Sequence, residues 1–325
     1  MEITRRTILH FAAGAAALPA VSRTVWAQSY PAKPVRIVVG FTAGSAGDIT
    51  ARLICQWLSE RLAQPFIVEN RGGAGGTLGA EAVVRSPPDG YSLLLCGSPE
   101  AITATLYEKL SYNFIRDIAP VASISRGPLV LVVHPSFPTK TVPEFIAYAK
   151  ANPGKVTFAS AGIGSVVHMA GELFKVLAGV NLVHVPYRGL APAVTDLISG
   201  QVQAIFSTMP PSIANVRAGK LRALAVTSTT RSEALPELPT LSDFVPGYEA
   251  SLWQGLGAPK NVPAEIVERL NKEANAALAD VGIKAKLADL GMLPVPMTTF
   301  DFGKFIVNET DKWGKVIRTA NLKPE

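Results

Sequence analysis

The sequence predicts an α/β fold of two βαβαβ lobes with mainly parallel sheets around a ligand cleft. Three observations support this. Short apolar segments alternate with amphipathic ones at the spacing of strands followed by helices, small-residue loops follow strands and lead directly into helices, and the whole order occurs twice. At ~150 residues per domain, the 325 residues accommodate both lobes. Hydrophobic residues make up 48% of the chain and charged residues 17%, with 27 Gly and 25 Pro spread throughout, a globular composition that excludes disorder and collagen.

The chain opens on a processing segment. Thr4-Arg5-Arg6-Thr7-Ile8-Leu9 leads into an apolar run from Phe11 to Val21, and Val25-Trp26-Ala27 places small or tolerated residues at a cleavage point. The run is well short of the ~20 residues of a spanning helix, so residues 1–27 are expected to be a cleaved export signal. The paired arginines suggest the twin-arginine route, although a general secretory signal also carries two arginines at times. Cleavage would remove Arg5, Arg6 and Arg23 against Glu2, taking the net charge from +6 to +4.

The first pattern follows. Arg36 to Val39 reads as a strand, Gly40 to Gly47 as a small-residue loop, and Asp48 to Leu62 as an amphipathic helix; Pro65 to Val68 is the second strand. Gly72-Gly73-Ala74-Gly75-Gly76 is a glycine loop before a helix ending near Ser86, and Pro87-Pro88-Asp89-Gly90 turns the chain into the strand Tyr91 to Leu95. The order returns with strand Val156 to Ala159, loop Ser160 to Gly164, a helix to Leu177, strand Leu182 to Pro186, a helix to Ser199 and strand Val202 to Phe206. Leu129 to Val133 is an apolar strand able to cross between lobes, with Leu224 to Thr227 and Trp253 to Leu256 on the return path. Helices are expected at Pro263 to Ala279, Ile283 to Leu290 and Thr299 to Ala320. The first lobe would comprise residues 28–127 and 252–325, and the second residues 128–251.

In parallel sheets the ligand sits beyond the carboxyl ends of the strands, where these loops lie. Each runs into a helix N-terminus, whose free N–H groups and dipole favour an anion. Other chemistries find little support. Two cysteines and four histidines show no metal-binding spacing, so neither a metal nor a cofactor is expected. Leu78 stands where a dinucleotide fingerprint needs glycine. The basic residues are scattered, with no basic run, which argues against a nucleic-acid partner.

Several strings resemble one receptor family. They include Tyr30-Pro31-Ala32-Lys33-Pro34-Val35-Arg36, Val68-Glu69-Asn70-Arg71-Gly72-Gly73, Pro87-Pro88-Asp89-Gly90-Tyr91, His168-Met169-Ala170-Gly171-Glu172, His184-Val185-Pro186-Tyr187-Arg188-Gly189 and Pro246-Gly247-Tyr248-Glu249. In order and spacing the chain is similar to the extracytoplasmic solute receptors of tripartite tricarboxylate transporters, the Bug family. The resemblance covers essentially the whole mature chain. It implies a periplasmic binding protein-like fold that closes on a small carboxylate and delivers it to the membrane permease subunits of a tripartite transporter. The chain is expected to be periplasmic, monomeric and not an enzyme.

The resemblance implies that carboxylate oxygens are held by loop amides and ordered waters, mapping onto Phe41, Ala43, Ser45, Ala46 and Gly47. Asp48 would cap the following helix and orient the loop. In the second lobe Ser160, Ala161, Gly162 and Gly164 form the facing loop. His168 is a polar lining or helix-packing residue, on the same helical face as Ser165 and able to hydrogen-bond with it. Tyr187, Ser98 and Thr208 lie beyond strand ends, where they would reach a ligand. The first loop lacks the Gly-Thr-Asp ending usual in the family, and Ser207-Thr208-Met209-Pro210 replaces its frequent Asp-Asn-Leu-Pro. Cys55 and Cys96 read as small buried residues, with a disulfide as the alternative.

Two other classes stay open. A sensory binding protein would share these features, and a lyase or dehydratase would need an acid or base where the cleft offers only Asp48, Glu100 and His168. A hydrolase is disfavoured because no Gly-x-Ser-x-Gly elbow occurs. A buried ligand ammonium would need a carboxylate aimed at it, and few are available. The expected ligand is a mono- or dicarboxylate without an amino group.

Overall fold

The computed structural model describes residues 30–107 and 109–324, so the expected export signal lies outside the described residues. Strands β1 (Val35–Val39), β2 (Phe66–Asn70) and β3 (Ser92–Gly97) pair in parallel with β1 at the centre. Helices α1 (Ala46–Leu62) and α2 (Thr77–Val84) make the crossovers between them. A third helix, α3 (Ser98–Leu106), begins directly at the end of β3, and the single turn α4 (Phe114–Asp117) leads into β4 (Ile118–Val133).

Strand β4 is three times the length expected of it. Its first part pairs antiparallel with β9 (Ser251–Pro259), from Ile118↔Pro259 to Pro128↔Ser251, which joins it through β9 to β3. Its last five residues, Leu129–Val133, pair on one side with β7 (Ala204–Thr208), and Val130 to Val133 pair on the other with β8 (Arg222–Val226). One strand thus belongs to two sheets and changes partners between Pro128 and Leu129. Pro120 coincides with a register shift in the ladder, which is how a chain with internal prolines stays in a strand.

The second sheet continues from β7 to β5 (Val156–Ser160) and β6 (Leu182–Pro186), all parallel. Helices α5 (Val142–Ala151), α6 (Val166–Ala178), α7 (Leu190–Ile198) and α8 (Met209–Arg217) accompany it. The chain then returns through β9 to α9 (Ala264–Ala279), α10 (Val281–Asp289), the short β10 (Leu293–Pro294) on β4, and α11 (Thr299–Thr319). β7 starts two residues later than its apolar run implied, and α3, α5 and α8 were not expected.

The described residues from Lys33 on pack as one compact unit with a hydrophobic core running through both sheets. Around the first sheet, Trp253 is fully buried and meets Phe302 and Phe305 of α11 edge-on. Around the second, Phe158, Phe174, Phe206 and Tyr248 interlock, and the Tyr248 hydroxyl donates to the Ala170 carbonyl at 2.9 Å. Each such buried ring contributes roughly 2–3 kcal/mol from burial alone. Where β4 changes sheets, Glu249 accepts from Arg126 at 2.7 Å and from Lys312 of α11 at 2.9 Å. Among the described residues no helix is long and apolar enough to cross a membrane.

Candidate functional site

The loops leaving β1 and β5 end alike, from a positive-φ glycine into the next helix. In each, a glycine with positive φ, Gly44 at +81° and Gly164 at +78°, precedes a serine that caps the next helix. Ser45 Oγ accepts from the Asp48 amide and Ser165 Oγ from the His168 amide, both at 3.2 Å. The side chain at that third helical position then turns back to the glycine: Asp48 Oδ2 accepts from the Gly44 amide at 2.9 Å, and His168 Nδ1 from the Gly164 amide at 3.3 Å. Each is backed by a partner of opposite tendency one turn on, Arg52 in α1 and Glu172 in α6.

This geometry leaves the first amides of α1 and α6, those of Ala46 and Gly47 and of Val166 and Val167, ahead of any intrahelical bond. The first loop is the more open. Phe41, Ala43 and Gly44 are exposed, and Ser45 to Gly47 half-buried. The second is half-buried at Ala161 to Ile163 and at Ser165. It also reaches the first sheet's helices, because a Cβ on Gly164 would fall 2.7 Å from the Leu106 side chain of α3.

Asp48 is not the N-cap; that position belongs to Ser45, and Asp48 is the buried acceptor behind it. Besides Gly44 and Arg52, its carboxylate takes a 3.0 Å hydrogen bond from Asn70 at the end of β2. Burial opposes its charge, but Arg52, the Gly44 amide and Asn70 together hold the carboxyl below its ordinary range.

His168 is buried, and its ring stacks on His184 of β6 at 3.9 Å between centroids. His184 Nε2 shares a 2.6 Å hydrogen bond with Ser160 Oγ, which also accepts from the Gly162 amide at 3.1 Å. Burial, reinforced by the neighbouring His168, pushes His184 down to about 3, so the imidazole is neutral. His168 thus packs and supports the loop and does not line it, and its bond to Ser165 runs through its backbone amide and not its ring.

Three further residues expected to contact ligand have side-chain partners within the protein. Ser98 is fully buried, donating to the Ser251 carbonyl and accepting from the Trp253 amide, so it ties α3 to β9. Ser160 is equally buried. The Tyr187 hydroxyl donates to Asp196 of α7 at 2.6 Å. Thr208 caps α8 without using its hydroxyl and is half-buried. The thiols of Cys55 and Cys96 are both free and buried.

Sequence reasoning gave no role to Asn70, Arg52 or His184, although Asn70 and His184 stand inside the strings that carried the resemblance. A surface pocket of about 370 Å³ lies elsewhere, around Val216, Leu221 and Ala223. Its Arg222 is committed to the Phe137 and Thr139 carbonyls, and it has no paired helix starts.

Comparison with known proteins agrees with this architecture. Residues 50–322 match the model of the tripartite tricarboxylate transporter family receptor. Protein BugT of Bordetella pertussis is 37% identical over 306 residues, covering 93% of this chain and 94% of its own. The structure of R. palustris Rpa4515 with adipate superposes with a TM-score of 0.83 at 36% identity, over 91% of this chain and 100% of that one. MatC from Rhodopseudomonas palustris with bound malate gives 0.79 at 32% identity, over 89% and 100%. With a periplasmic binding protein-like fold and matches that span nearly its whole described length, the chain belongs to the tripartite tricarboxylate transporter receptor family, whose Bug proteins are solute-binding receptors.

Proposed function

We propose that this receptor captures a small carboxylate without an amino group between two lobes and delivers it to the membrane permease of a tripartite transporter. The observation that carries this is the pair of matching loops, one per sheet, each ending in a serine-capped helix start whose leading amides suit carboxylate oxygens. The lobes are residues 28–127 with 252–325, and residues 128–251, meeting where β4 changes sheets. Ligand contacts come from Phe41, Ala43, Ser45, Ala46 and Gly47 on one side and from Ala161, Gly162 and Gly164 with Thr208 on the other. Ser160, His168 and Asp48 hold those loops from behind.

Two acids beside the loops are already committed and offer nothing to an ammonium. Asp48 is saturated by Arg52, Asn70 and Gly44, and Asp196 is held by Tyr187. The protein acts by binding and not by catalysis, after export to the periplasm and removal of residues 1–27. Calorimetric titration with adipate, malate and succinate against aspartate tests this reading. Tighter binding of the amino-free acids is expected; consistently tighter binding of aspartate would sink it.

A further inference from the structure

Glu100 is the third residue of α3 and lies beneath the glycine turn that follows β2. It is 2% exposed. Its Oε2 accepts from the Gly97 amide at 2.7 Å, while Oε1 has no hydrogen-bond partner. That oxygen is directed at Gly76, where a Cβ would fall 3.0 Å from it and 3.4 Å from the edge of the Phe41 ring. At the adjoining Gly75 a Cβ would meet Thr103 of the same helix at 3.1 Å. The paired glycines therefore leave α3 covered by backbone alone, beside the loop that begins at Phe41. An unpartnered buried polar atom costs roughly 1–3 kcal/mol, so a native fold that keeps one calls for a reason.

We propose that Glu100 contacts the bound carboxylate and helps to select it: its free oxygen, carried as a neutral hydroxyl, donates a hydrogen bond to an acceptor oxygen of the ligand once the Phe41 ring swings off Gly76. This rests on the carboxylate-receptor reading above. Phe41 is 36% exposed and sits on the open first loop, so no core packing encloses its ring.

Electrostatics fit the role. Burial, offset only by its own amide and that of Gly97, pushes the Glu100 carboxyl up to about 8. At neutral pH it is therefore a hydrogen-bond donor that adds no negative charge against an anionic ligand. The titratable groups facing it are the Cys96 thiol from β3 and the Tyr112 phenol after α3, with Glu81 of α2 beyond Tyr112. From α11, packed along α3, Arg318 reaches the neighbourhood of Thr105 at Gly314. Binding that needs the protonated acid is at full strength below the Glu100 pKa and weakens as pH rises through it, by about tenfold per unit beyond.

The test is calorimetry of a panel of mono- and dicarboxylates that includes adipate and malate, on wild type, E100Q and E100L, from about pH 6 to about pH 9.5. Wild-type affinity should hold to neutrality and then fall about tenfold per pH unit above its carboxyl pKa. E100Q keeps an N–H donor and cannot titrate, so it should bind within a few-fold of wild type at the acidic end and show no alkaline fall. E100L should bind at least about tenfold more weakly at the acidic end, with some loss of Tm because the Gly97 amide loses its acceptor. Should E100L fail to fold, the E100Q profile decides alone. Unchanged affinity in E100L, an alkaline fall retained in E100Q, or affinity that rises with pH overturns the proposal. A wild type that binds no member of the panel overturns the receptor reading and this inference with it, whereas normal wild-type binding with unaffected variants overturns this inference alone.

Discussion

Replacing Asp48 with alanine removes the acceptor around which the first loop is organised. Four bonds converge on this carboxylate: Gly44 and Arg52 Nε on Oδ2, Asn70 and Arg52 Nη2 on Oδ1, all between 2.9 and 3.0 Å. The Arg52 side chain is 57% exposed and rehydrates freely, so its loss contributes little. The Gly44 amide and Asn70 are different, because hydrogen bonds to a charged group are worth roughly 1.5–3 kcal/mol each and both donors lie against the loop. With partial rehydration, Asp48→Ala should destabilise the fold by about 3 kcal/mol and lower Tm by roughly 5–10 °C.

Asp48→Asn keeps the shape and one acceptor and should lose about half as much. The sign with pH follows from a folded pKa below the ordinary one. The carboxylate's contribution is fully present above the ordinary Asp range and is lost as pH falls through the folded value, so the gap between wild type and Asp48→Asn should narrow in acid. Thermal melts at neutral and acid pH, with carboxylate affinity measured alongside, provide the assay. An Asp48→Ala protein that melts within a degree of wild type would refute the reasoning.

Two further outcomes follow from buried groups. Burial pushes the Cys55 thiol up to about 12 despite Arg52 nearby, and lifts Cys96 well above its usual value, so the native protein should resist thiol reagents while the unfolded chain releases two thiols; fewer than two in denaturant would show a disulfide. Gly171→Ala puts a Cβ 2.2 Å from the Phe158 ring, which itself lies parallel to His168, and should cost at least about 2 kcal/mol while weakening ligand binding through the second loop, a prediction that an unchanged urea midpoint would defeat.

The sequence showed most where apolar runs sit between hard stops. β6, closed by Pro186, was read to the residue, and β1 and β5 to within one. β4 was read only from Leu129 because Pro120, Gly127 and Pro128 look like breakers; a long partner in β9 and a register shift tolerate them. α3 escaped because it starts on the residue after a strand with no loop between, although Pro99 and Glu100 are an ordinary helix opening. Asp48 was misread as the cap because acids are good capping residues; the structure gives that place to Ser45, three residues earlier, and the acid becomes the third helical residue. The stack of His168 on His184 joins a helix to a strand across the sheet surface, and local pattern carries no signal for it.

The central claim, that the two matched loop–helix starts hold a carboxylate together, is tested most directly by backbone amide NMR of the mature protein titrated with the tightest-binding carboxylate. The largest shifts should fall at Phe41 to Gly47 and at Ala161 to Val167, in both stretches at the same ligand occupancy. Shifts confined to one stretch, or centred on the pocket around Val216 and Leu221, would contradict the account.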